Sequence, residues 1–126
     1  MTRILLVDDS AEVRRSVRAV LASAVVDPTF GEAGDAAGAL ALLTGERWDL
    51  VLLDLSLPDR NGLETLREMR RLRPALPVVV MSFHDQPEYA RAARGAGAAG
   101  YVAKGSESAV IAAAVKGALA AAPART

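Results

Sequence analysis

Four short apolar runs in this chain each stop at a residue that can do chemistry. Ile4-Leu5-Leu6-Val7 stops at Asp8-Asp9, and Leu50-Val51-Leu52-Leu53 stops at Asp54. Val78-Val79-Val80-Met81 stops at Ser82, and Tyr101-Val102-Ala103 at Lys104. Each stop alone reads as a strand boundary, since strands commonly end in polar residues. The joint pattern says more. Three carboxylates gathered at one place repel one another unless a cation compensates them. Carboxylates with a hydroxyl and an ammonium, and with no histidine or cysteine ligand, suit an oxygen-coordinated Mg²⁺ and a phosphoryl group.

These groups converge only if the runs are parallel strands of one sheet. A continuous apolar run is the mark of a strand buried on both faces. Asp54 then sits at the carboxyl end of a central strand, where open α/β sheets bind their ligands. Pro58, Asn61 and Gly62 turn the chain after it.

The intervening segments read as helices. Ser10 is an N-cap, and Val13, Val17, Val20, Leu21 and Ala24 recur at helical spacing over residues 11–24. Residues 29–33 form a short strand after Asp27-Pro28. Asp35 caps a small helix through Ala37, Leu40, Ala41 and Leu43 that ends at Gly45. Leu63, Leu66, Met69 and Leu72 mark a third helix, and Pro87 opens a fourth. The last runs from about Ser106 to Ala122, with Pro123 as its stop. Strands alternating with helices predict an α/β fold, a parallel sheet with helices on both faces.

Composition narrows the class. The chain has 126 residues, 52% apolar and 24% charged, which is a globular mixture for one domain. A formal net charge of zero gives no overall field for nucleic acid or an anionic membrane. Disulfides and thiolate metal sites are excluded because there is no cysteine. No apolar stretch approaches membrane-spanning length, so a cytoplasmic location is the default expectation.

The motifs Leu5-Leu6-Val7-Asp8-Asp9, Leu52-Leu53-Asp54-Leu55-Ser56-Leu57-Pro58, Asn61-Gly62, Ser82 after a valine run, and Gly100-Tyr101-Val102-Ala103-Lys104 occur in order. The sequence resembles a receiver domain of bacterial two-component response regulators, over residues 1–122 with 123–126 as a tail. The segment from Ser82 to Tyr89 is similar to the subgroup often joined to a helix-turn-helix DNA-binding domain.

The resemblance implies a doubly wound, flavodoxin-like sheet of five strands in the order 2-1-3-4-5. It implies Asp54 as phosphoacceptor, and Mg²⁺ held by Asp8, Asp9, Asp54 and the backbone carbonyl of Ser56, with Asp9 the direct ligand beside Asp54. Lys104 pairs with the phosphoryl oxygens, Ser82 hydrogen-bonds one of them, and Tyr101 follows Ser82 as the switch aromatic. The implied partners are a histidine kinase or phosphotransfer protein upstream and an output partner downstream. Direct nucleic-acid or membrane contact is not implied.

Two other readings remain open on sequence. An aspartyl-phosphate phosphohydrolase usually carries an acid two residues beyond the nucleophile, where this chain has Ser56. A pseudo-receiver that no longer takes phosphate retains the fold without the full set of acid, hydroxyl and lysine found here.

This chain also departs from the commonest receiver pattern. Gly105 follows Lys104 where many receivers have a cis proline, so a trans loop is expected. Phe83 replaces the usual small residue and narrows access of small phosphodonors to Asp54. His84 reads as an exposed loop residue and Trp48 as packing between the second helix and third strand. Arg67, Arg70, Arg71 and Arg73 read as a solvated helix face. On the last helix, Ile111, Ala114, Val115, Ala118 and Ala122 face the sheet. That leaves Ala112, Ala113, Lys116, Gly117 and Ala120 outward, a face suited to a homodimer or an output domain.

Overall fold

A computed structural model of the chain describes residues 1–84 and 86–122. Five strands, β1 (Thr2–Val7), β2 (Pro28–Ala33), β3 (Leu50–Asp54), β4 (Val78–Ser82) and β5 (Gly100–Ala103), alternate with five helices. The helices are α1 (Ala11–Ala24), α2 (Ala36–Gly45), α3 (Gly62–Leu72), α4 (Pro87–Gly95) and α5 (Ser108–Ala121). All strand pairs are parallel, in the order β2-β1-β3-β4-β5. The expected doubly wound sheet is the one observed.

Alternation along each strand divides the core in two. Leu5, Val7, Val51, Leu53, Val78 and Val80 pack with α2, α3 and α4 residues such as Leu43, Leu66, Met69 and Ala93. Ile4, Leu6, Leu50, Leu52, Val79 and Met81 pack with Val17 and Leu21 of α1 and Ile111 and Val115 of α5. Both faces of the central strands are therefore dry, which explains their unbroken apolar runs. β3 and β4 are buried at every position, Asp54 and Ser82 included.

Several boundaries follow from local chemistry. Ser10 caps α1 through the Val13 amide, and Asp35 caps α2 through the Gly38 amide. Asn61 caps α3 through the amides of Leu63 and Glu64. β2 starts at Pro28, one residue earlier than expected, which an edge strand tolerates at its first position.

α5 starts at Ser108 rather than Ser106. Gly105 adopts φ +85°, and Ser106 bonds back to the Ala103 carbonyl through its amide and its hydroxyl. That turn uses up the residues expected to open the helix. Among the described residues there is no cis peptide bond, and Gly105 supplies the left-handed turn that a proline's fixed φ would forbid. The expected tail, residues 123–126, lies outside the described residues.

Candidate functional site

The strand register brings the expected site residues to one edge. Val7 pairs with Leu53, so Asp8 follows β1 level with Asp54 at the end of β3. Asp54 pairs with Met81 and Ser82 with Ala103, and the Lys104 amide donates to the Ser82 carbonyl at 2.7 Å. This is the carboxyl edge of the sheet, at the point where strand order reverses between β1 and β3. One carboxylate oxygen each from Asp8, Asp9 and Asp54 lies within 4.8 Å of the others.

Asp8 and Asp54 are held alike. Each accepts, through Oδ1, the amide two residues on: Ser10 at 2.9 Å and Ser56 at 3.0 Å. This Asx-type turn aims each carboxylate across the strand ends. The second oxygens converge on Lys104, whose Nζ is 2.8 Å from Asp8 Oδ2 and 3.0 Å from Asp54 Oδ2. Strands stand about 4.8 Å apart, so a residue after β5 reaches β3 and β1 only with a long side chain. Burial alone would lower the Lys104 pKa, but bonding to Asp8 and Asp54 outweighs it and holds the ammonium above the ordinary lysine value.

Asp54 Oδ2 is buried, and among the described residues the Lys104 ammonium is its partner. Asp9 is exposed and makes no bond among the described residues. Among the described residues three carboxyl groups face one ammonium. Close carboxylates and an oxygen-only donor set fit a hard divalent cation.

Two further arrangements were not visible in the residue types. The His84 amide donates to Ser82 Oγ at 3.1 Å, and the His84 carbonyl accepts the Tyr101 hydroxyl. The backbone of His84 thus joins the two expected switch residues, while its ring stacks on Tyr89 at 4.2 Å. On β1's other side, Arg14 donates to the Asp8 carbonyl and pairs with Glu32 at 2.8 Å.

Residues 4–116 match the response regulator receiver domain family. The chain belongs to this family. The receiver domain is 36% identical over 116 residues to the DNA-binding transcriptional activator DevR/DosR of Mycobacterium tuberculosis, covering 92% of this chain and 54% of that protein. It is 40% identical over 82 residues to a protein-glutamate methylesterase/protein-glutamine glutaminase of Agrobacterium fabrum, covering 65% of this chain and 23% of that enzyme. Among solved structures, a CheY-like receiver domain from Methanospirillum hungatei superposes with a TM-score of 0.86 at 28% identity, over 95% of this chain and 94% of the other. The chain spans about half the length of the curated regulators it matches. Among the described residues no helix is long and apolar enough to cross a membrane.

Other features of this receiver domain are specific to its sequence. Phe83 is 73% exposed, and the Lys104 ammonium lies 4.9 Å from its ring centroid. Trp48 is buried as expected, with Nε1 donating to the Leu42 carbonyl at 3.1 Å. The arginine cluster is largely solvated, as expected: Arg67, Arg71 and Arg73 are exposed, while Arg70 is half-buried and bonds the Leu76 carbonyl, and Arg73 also bonds the Leu43 carbonyl. On α5, Ala112 is half-buried rather than outward, because that helix lies against α1 as well as the sheet.

Proposed function

We propose that this receiver domain takes a phosphoryl group onto Asp54 from a histidine kinase or phosphotransfer protein and signals the change to an output partner. The observation that carries the reading is the buried Asp54 carboxylate, paired through Oδ2 with Lys104 alone and gathered with Asp8 and Asp9 among the described residues. In the reaction, an Asp54 oxygen forms a bond to phosphorus as the bond from phosphorus to the donor's imidazole nitrogen breaks. The electron pair leaves on the imidazole. Asp8, Asp9, Asp54 and the Ser56 carbonyl would hold Mg²⁺, which supplies charge neutralisation for the transferring phosphoryl group.

The remaining roles fall to the chain's own residues. Lys104 neutralises charge on the phosphoryl oxygens. Ser82 hydrogen-bonds one of them, and Tyr101 carries the change outward. The domain catalyses only its own phosphorylation and dephosphorylation. The downstream partner is a DNA-binding output domain or a second copy on α5, whose Ala113, Lys116, Gly117 and Ala120 are exposed. The receiver itself contacts neither nucleic acid nor membrane.

Mg²⁺-dependent labelling by acetyl phosphate tests the reading. Labelling that needs Mg²⁺ and decays slowly supports it. Turnover of a phosphomonoester would instead favour a phosphohydrolase, and no labelling from any donor a pseudo-receiver. Light scattering with and without beryllofluoride, the phosphoryl mimic, reads the α5 dimer.

A further inference from the structure

The loop after β3 is tied to a helix that takes no part in the chemistry. Asp59 reaches across to the start of α2, where Oδ1 accepts the Ala36 amide at 2.9 Å and Oδ2 the Ala37 amide at 3.1 Å. Asp35 takes the next amide, that of Gly38, at 2.7 Å. Two carboxylates thus satisfy the first three amides of α2, which a helix cannot satisfy internally. One belongs to α2's own cap and the other comes from 22 and 23 residues away.

The same loop carries Ser56, and its ends are tightly fixed. The Ser56 amide bonds Asp54 Oδ1 at 3.0 Å. At the far end Asn61 caps α3, and Gly62 sits so close to Leu55 that a Cβ there would come within 2.1 Å of the Leu55 carbonyl oxygen. Between these ends Leu57 is buried, while Ser56, Pro58, Asp59 and Arg60 are exposed. Apart from Leu57, the anchors of this stretch among the described residues are the exposed Arg60–Glu68 pair and Asp59. The Ala36 amide above all lowers the Asp59 pKa, so the carboxylate form is the one the contact favours.

We infer that Asp59 is a positioning residue for the metal site, pinning the β3–α3 loop to the start of α2 so that the Ser56 carbonyl keeps its place beside Asp54. The inference rests on the proposed Mg²⁺ role of Ser56. Asp59 touches no reacting atom. Its effect runs through the loop, as groups behind a metal's direct ligands orient them.

Asp35 is the control, because it caps the same helix without holding the loop. Isothermal titration with Mg²⁺ and amide hydrogen exchange are measured on wild type, Asp59→Ala, Asp59→Asn, Asp59→Glu and Asp35→Ala. Asp59→Ala should weaken Mg²⁺ binding about tenfold and speed exchange at Ala36, Ala37 and Ser56. Asp35→Ala should lower the melting temperature and speed exchange at Gly38, with Mg²⁺ affinity unchanged. Asn keeps an acceptor at the native reach without charge, and Glu keeps charge at the wrong reach. Asn should therefore recover more affinity than Glu. Recovery by Glu alone means the charge acts at long range, and equal effects of Asp59→Ala and Asp35→Ala mean helix capping only; either overturns the inference. So does wild-type affinity in Asp59→Ala. A wild-type protein that binds no Mg²⁺ overturns the reading underneath instead, and exchange at Ser56 in the free protein then still shows whether Asp59 holds the loop.

Discussion

Lys104 holds its ammonium 3.0 Å from Asp54 Oδ2, a buried oxygen with no other partner among the described residues. The same ammonium is 2.8 Å from Asp8, so one lysine draws together the ends of β1 and β3. Cation and phosphoryl group would enter a site whose acids are balanced by this one ammonium.

The first prediction concerns alkaline stability. The Lys104 pKa is raised in the folded state, so its contribution is complete below the unfolded lysine value and lost as pH rises through the folded one. Wild-type stability relative to Lys104→Met should therefore fall above about pH 10.4, the ordinary lysine pKa. Denaturant midpoints of both proteins across that range check it. Lys104→Met should also slow labelling by roughly 10²-fold, the usual cost of losing one charge-stabilising donor.

A second prediction ranks the acids. Asp8 is buried, with both oxygens engaged, whereas Asp9 is exposed and makes no bond among the described residues. Asp9→Asn should weaken Mg²⁺ more than Asp8→Asn. Changes behind a direct ligand cost roughly 10- to 100-fold, so Asp9→Asn should reach at least that range. Thermal shifts under Mg²⁺ titration read both variants, and equal losses would refute the ranking.

Much of this was legible in the sequence, and the reason is local. A buried parallel strand writes itself as an apolar run, and the polar residue that stops it marks the sheet edge, as at Asp54 and Ser82. The caps Ser10 and Asp35 act within three residues of themselves. What stayed hidden depends on main-chain atoms or distant contacts. The His84 backbone link between Ser82 and Tyr101 has no side-chain signature. Asp59's bond to Ala36 depends on how two loops meet, Arg70's bond to Leu76 on how the chain turns after α3, and Arg73's bond to Leu43 on how the end of α3 meets α2.

The third prediction follows from the His84 link. A Ser82 hydroxyl turning towards a phosphoryl oxygen changes its bond with the His84 amide, and the His84 carbonyl holds the Tyr101 hydroxyl. Ser82→Ala should still be labelled but should lose the change at Tyr101 on adding beryllofluoride, read by ring NMR shifts. An equal Tyr101 response in the variant would break the coupling.

Phe83 gives the fourth. Its exposed ring lies over the Lys104 ammonium at the mouth of the site. Removing its bulk should open the path to Asp54, so Phe83→Ala should speed acetyl phosphate labelling. Transfer from a phosphorylated kinase should be unaffected, since its imidazole approaches as part of a docked surface. A slower small-donor rate would mean the ring helps to hold Lys104 rather than to restrict access.

The central claim is that Asp54 is the phosphoacceptor. The direct measurement is intact mass and peptide mapping after incubation with acetyl phosphate and Mg²⁺, on wild type and Asp54→Asn side by side. Wild type should gain one phosphoryl group, mapped to the peptide holding Asp54 and removed by hydroxylamine. Asp54→Asn should gain none while keeping its circular dichroism spectrum. Full labelling of Asp54→Asn, or a label on another residue of the wild type, would contradict the account.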